Sequence, residues 1–283
     1  MHFGAARVTS LDNICVATPS GGILRRKNGR SLDNAIKALG DIELDLRNLR
    51  GQGTTASLQY LRFISTAETS LAWAFVREDV EGLFHTPRFF ELLRLESPGE
   101  LMNRLVVGEI EARLEELSDL LSDMKLRRER LGQITEIVFV PDTNLFVHCN
   151  PFDELIWTEL SGGAPVHIVV PLVVIEELDR LKRSGVSAVR QASRESLRRL
   201  ESLGMLQAQS ANLESATIEI LEEEPYHLRA PTVDLEILET CSEINDASAG
   251  GVFVVTGDLS MIVRSRALGI NALKVPIGWN RDD

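Results

Sequence analysis

Apolar residues recur along this chain with two different periods. Residues 31 to about 132 carry helical spacing in four stretches: "SLDNAIKALGDIELDLRNL", "TASLQYLRFISTAETSLAWAFVRE", "PRFFELLRL" and "SPGELMNRLVVGEIEARLEELSDLLSDMKLRRERLG". In the last stretch Val107, Ile110, Leu114, Leu117, Leu121, Met124 and Leu131 alternate by threes and fours, broken only by Arg128, which predicts one long helix. Such a stripe packs inside an antiparallel bundle or along the seam of a coiled-coil dimer, and the shortness of the seam favours the bundle. Residues 1–30, with "TPSGG" and "LRRKNGR", have no readable period.

From "ITEIVFVPD" onward the pattern becomes short β-branched runs alternating with helical ones. Strands are expected at 137–141, 167–170, 217–221, 252–255 and 272–275, with helices near 152–160, 172–184, 187–204, 232–245 and 259–267. Strand–helix–strand repetition predicts an α/β fold, a parallel sheet sandwiched by helices, preceded by a mainly α-helical region. The expected division is 1–132, helical and of unassigned role in oligomerisation or substrate selection, and 133–283, the sheet-bearing half.

A length of 283 residues, 44% hydrophobic and 25% charged, leaves room for two ordinary globular cores. No apolar run reaches the roughly 18 residues that span a bilayer, and no basic segment leads a long apolar region at the start. A cytoplasmic protein without a membrane partner is therefore expected. Cys15, Cys149 and Cys241 are far apart and odd in number, which suits reduced thiols. The five histidines show no zinc-ligand spacing.

The net charge of −12 argues against a nonspecific nucleic-acid coat, but its distribution is uneven. Residues 1–133 hold 18 basic and 19 acidic groups, whereas 134–283 hold 12 and 23. Seven of those twelve basic groups fall within 180–199 against the single acid Glu195.

Four acids stand where a parallel sheet binds its ligands, outside the carboxyl ends of the strands. Asp142 ends the run "IVFVP" and Asp258 follows "VFVVTG". Either could cap the next helix, but two such acids on two strands point to a site. In "PLVVIEELDRLKRSG", steps of about 100° per residue put Val174, Ile175, Leu178 and Leu181 on the apolar face. Glu177 then borders that face, Glu176 lies nearly opposite it, and Asp179 suits an outward salt bridge. Asp234 lies on the apolar side of its helix, in the first turn, where the helix dipole alone would also welcome an acid. Four converging carboxylates repel unless a divalent cation neutralises them, and an all-oxygen set suits Mg2+ or Mn2+. The chemistry implied is hydrolysis of a phosphodiester.

"VPDTNLFVH", "VVPLVVIEELDRLKRSG", "DLEILETC" and "VFVVTGDLSMIVRSRALGI" resemble the successive motifs of a PIN domain, nearer the PhoH-associated and nonsense-mediated-decay types than the minimal VapC toxins. The resemblance spans residues 134 to about 277. It implies a metal-dependent ribonuclease with Asp142, Glu177, Asp234 and Asp258 as catalytic and metal-binding acids. It further implies supporting roles for Asn144, Thr256 and Ser260. Arg190, Arg194 and Arg198, at i, i+4 spacing, share a helix face that is either merely solvated or carries RNA phosphates.

The expected activity is cleavage of single-stranded RNA. The competing readings are an RNA-binding or scaffold module with little turnover and a structure-specific DNA nuclease. A haloacid-dehalogenase-like phosphatase is disfavoured, because the acid expected two residues after its nucleophile is Asn144 here. RNA is the expected partner, self-association is left open, and an antitoxin partner is not favoured.

Overall fold

The computed structural model describes residues 24–50, 56–94, 100–204, 210–224 and 227–281. The opening segment, including "TPSGG" and Cys15, lies outside them.

Helices α1 (Leu32–Asn48), α2 (Ala56–Leu71), α3 (Arg77–Phe84), α4 (Pro87–Arg94) and α5 (Glu100–Gly132) form the first half. The helical stretch expected to run past residue 71 divides at 72–76, where Phe75 pairs with Arg26 in an isolated antiparallel bridge. Along α5 the buried stripe is Val106, Ile110, Leu114, Leu117 and Leu121, packed on α1, α2 and α4. Val107 is half exposed, since Val106, four residues before Ile110, holds the inward position. The break at Arg128 marks the level at which α5 leaves one core and enters the next. Up to Leu121 it lines the helical core, whereas Leu131 belongs to the core around the sheet. Arg128 itself reaches Asp33 Oδ1 of α1 at 2.6 Å and the Ala247 carbonyl, at the end of a helix of the second half, at 2.8 Å.

The second half contains β1 (Ile137–Pro141), α6 (Thr143–His148), β2 (Val166–Pro171), α7 (Leu172–Leu181), α8 (Ser187–Ser202), β3 (Ser210–Asn212) and β4 (Thr217–Leu221). It continues through α9 (Val233–Ala247), β5 (Val252–Thr256), α10 (Leu259–Ala267) and β6 (Asn271–Lys274). The sheet order is β3-β4-β2-β1-β5-β6, parallel throughout except for β3, which runs antiparallel to β4. Val138, Phe139 and Val140 of β1 are fully buried, as are Ile168, Val169 and Val170 of β2, so both faces are covered and the runs are continuously apolar.

After β1 the chain builds outward through β2 to β4, then returns through α9 to place β5 on the other side of β1. The direction of winding therefore reverses between β1 and β5, and their carboxyl ends bound a crevice. Gly250 is needed to bring the two strands together: a Cβ there would stand 1.9 Å from the Glu136 carbonyl oxygen.

In the second half one expected helix fails and one strand is additional. No helix forms at 152–160 beyond the 3-10 turn Trp157–Glu159, because Phe152, Leu155 and Trp157 all enter the core and the Trp157 indole N–H takes the Phe152 carbonyl at 2.8 Å. The short edge strand β3 was not foreseen. Among the described residues no helix is long and apolar enough to cross a membrane.

Candidate active site

The crevice between β1 and β5 is built around Asp142. Its N–H still belongs to the sheet, donating to the Val255 carbonyl at 3.1 Å, while its side chain leaves it. Oδ1 caps α6 by accepting from Leu145 N at 3.0 Å, and Oδ2 accepts from the hydroxyl of Thr256 at the end of β5. Asp142 and Thr256 are both buried. The same Thr256 hydroxyl accepts from Asp258 N at 2.9 Å, so one side chain holds the two strand-end acids in register. Asp258 in turn caps α10, its oxygens accepting from Ser260 N at 2.8 Å and Ser260 Oγ at 3.0 Å. Capping and site geometry are thus served by the same carboxylates.

Glu177 joins through Thr143, the residue after Asp142. The Thr143 hydroxyl donates to Glu177 Oε2 at 2.9 Å, and Arg180 donates to Oε1 at 2.6 Å. Helix phase separates the neighbouring glutamates as expected: Glu176 is exposed and bound to Arg229, and Asp179 makes an outward pair with Lys182 at 2.5 Å. The apolar face of α7 is shifted: Val173 is buried with Val174 and Leu178, whereas Ile175 and Leu181 are only partly so. Asp234, in the first turn of α9, pairs with Arg264 of α10 at 3.0 Å.

Burial raises the pKa of Asp142 above the ordinary carboxylate range, and the charges of Asp234 and Asp258 add to it, outweighing the bonds from Thr256 and Leu145 N–H. Asp234 and Asp258 thus lie near enough to Asp142 for their charges to oppose its ionisation. Such a set fits a hard divalent cation in charge and donor type. Cys149 does not compete as a soft ligand, because burial and the Asp142 charge push its thiol up to about 11. Among the described residues no three His, Cys, Asp or Glu side chains are gathered at ligand distance, since Asp234 is turned to Arg264 and Glu177 to Thr143 and Arg180.

Asn144 is exposed and makes no bond to the acids. On α8, Arg190 donates to the Ser184 carbonyl at 2.7 Å and so closes the α7–α8 turn, whereas Arg194 and Arg198 are exposed, without a partner among the described residues. Arg199, the next position, is fully engaged with Asp153, Glu154 and Glu195. Arg264 escaped the sequence reading because a contact between α9 and α10, 30 residues apart, leaves no local mark.

No curated protein matches the chain. A solved structure of a domain of a functionally unknown protein from Methanocaldococcus jannaschii is similar at 18% identity and a TM-score of 0.34, covering 52% of this chain and 96% of that one. The family model for the PIN domain matches residues 139–275, from β1 past the end of β6 and across all four acids. The C-terminal half of this chain is a PIN domain, the fold of a nuclease family.

Proposed function

We propose that the chain is a divalent-metal-dependent endoribonuclease that hydrolyses phosphodiester bonds of single-stranded RNA. The observation that carries this reading is the buried Asp142, held by Thr256 and opposed by the charges of Asp234 and Asp258 at the reversal point of a PIN sheet. Asp142, Asp234, Asp258 and Glu177 would hold Mg2+ or Mn2+, which when bound lowers the pKa of an attacking water and neutralises phosphate charge.

The chain's own residues supply position. Thr256 fixes Asp142 relative to Asp258, and Thr143 and Arg180 fix Glu177. Asp234 becomes available when its bond to Arg264 opens, which frees a guanidinium beside the phosphate. Arg194 and Arg198 extend the basic face along which the backbone of the strand would lie.

The test is cleavage of labelled single-stranded RNA and matched DNA with Mg2+, Mn2+ or EDTA, with Asp142→Asn, Asp258→Asn as the paired variant. Metal-dependent cleavage of RNA, absent from the variant and from the DNA, is expected. RNA binding without cleavage would replace the enzyme by a binding module, and equal cleavage of DNA would remove the substrate assignment.

A further inference from the structure

A cavity of about 300 Å³ opens beside the acids, between α6, the loop after β5 and the segment that follows β6. Leu145 and Val275 supply its apolar lining, and Asn144, His148, Asp258 and Asn280 its polar groups. Asp258 belongs both to this lining and to the acidic centre, so an occupant would lie next to the candidate reaction site.

Three of the polar groups are unspent. Asn144 and His148 stand one turn apart on the exposed face of α6, and neither side chain has a partner among the described residues. Asn280 is brought to the same cavity by a deliberate-looking backbone clasp: it bridges Cys149 antiparallel, Arg281 N donates to the His148 carbonyl at 2.9 Å, and Asn150 N donates to the Trp279 carbonyl at 2.7 Å. The Cys149 thiol, 3.9 Å away, turns toward Asn280 Oδ1 and leaves the amide NH2 unpaired among the described residues.

The lining also says what it would refuse. It contains no Lys or Arg, and Arg281, next in the chain to Asn280, is bound to the Cys149 carbonyl and to Glu195. Apart from an ion that Asp258 would help to hold, a phosphate inside the cavity would find no basic side chain in the lining to offset its charge. Side-chain amides, in contrast, present a donor and an acceptor side by side, which matches the edge of a nucleobase, and an imidazole and apolar side chains offer surfaces on which a base can stack. We infer that this cavity receives the unpaired base of the nucleotide adjoining the scissile phosphate, and that Asn280 and His148 help determine which base is accepted. The inference rests on the nuclease reading and adds a specificity site to it.

The experiment separates the two. Adenosine, guanosine, cytidine and uridine, with ribose 5-phosphate as the base-free control, are titrated to millimolar concentration into the metal-free full chain and followed by NMR. At least one nucleoside is expected to shift the α6 and Asn280 resonances, with affinity about tenfold or more weaker in Asn280→Ala and in His148→Ala, while ribose 5-phosphate leaves them unmoved. Cut sites on a random-sequence RNA are then mapped for the same variants, and a base preference next to the cut is expected to relax. No nucleoside binding, or equal binding of ribose 5-phosphate, would overturn the base site. So would cleavage with an unchanged preference in both variants, and that result would leave the nuclease standing. Nucleoside binding by a chain that cleaves no RNA would keep the base site and remove the nuclease.

Discussion

Asp142 is held where burial and two neighbouring acids disfavour its own charge. Its folded pKa is raised, so the folded state binds more protons than the unfolded chain between the two values, and ionisation weakens folding. The penalty is absent below the usual value near 4, grows as pH rises from there, and is complete once pH has passed the raised value. Asp142→Asn removes that charge, and the Thr256 hydroxyl can turn to accept from the new amide while Leu145 N–H keeps its acceptor. We therefore expect the variant to melt a few degrees above the wild type at pH 7 without metal, on the order of 1 kcal/mol. The gap should close toward pH 4. Melting curves across that range, with a variant less stable at pH 7 as the contrary result, decide the matter. At this scale the sequence was informative where helix phase or strand position speaks, as for Glu177 over Glu176. It was silent where two distant helices meet, as for Arg264 on Asp234.

Among the elements, the strands were the most legible part. β1 and β4 occur at the expected residues, β5 differs by one residue at one end and β2 and β6 by one at each end, because uninterrupted β-branched runs between helical patterns admit few other readings. β3 is three residues long, with two of them exposed, and carries no apolar run to betray it. The core stripe of α9 was read correctly at Ile237, Cys241 and Ile244, yet it also buries Glu236, which periodicity would never assign inward. Its partners explain it: Glu236 accepts from His227 and from Ala230 N–H, and so ties the segment before α9 onto the helix. The Glu236 bond raises the His227 pKa against the effect of burial, while burial of Glu236 is outweighed by the His227 and Ala230 bonds, which lower its own. The raised histidine stabilises fully below its unfolded value near 6.5 and loses that contribution as pH rises through its folded value. The lowered glutamate stabilises above its unfolded value near 4.5 and loses that contribution as pH falls through its folded value. The stability lost in His227→Gln should therefore be greatest between about pH 4.5 and 6.5 and shrink on either side. A difference that is constant with pH would show that the pair acts only by packing.

In the molecule as a whole, the two halves are joined by α5 itself rather than by a linker. Its last turns carry Arg127, which reaches Glu243 Oε1 of α9 at 2.6 Å, and Arg128 and Leu131, while its earlier turns fill the helical core. Both sets of contacts are read from one continuous rod of 33 residues, whose side chains advance by about 100° and 1.5 Å per residue. A substitution on its exposed side, such as at the two-thirds exposed Leu126, disturbs neither. Inserting one alanine between Leu121 and Arg127 is a different matter, since it rotates every later residue about the axis by that angle. Either the helix must bulge or Arg127, Arg128 and Leu131 must swing off their partners. One added residue there should lower the melting temperature far more than replacing Leu126 by alanine, and equal melting of the two would show that α5 is not continuous. Length, more than composition, is what this stretch of the chain has to conserve.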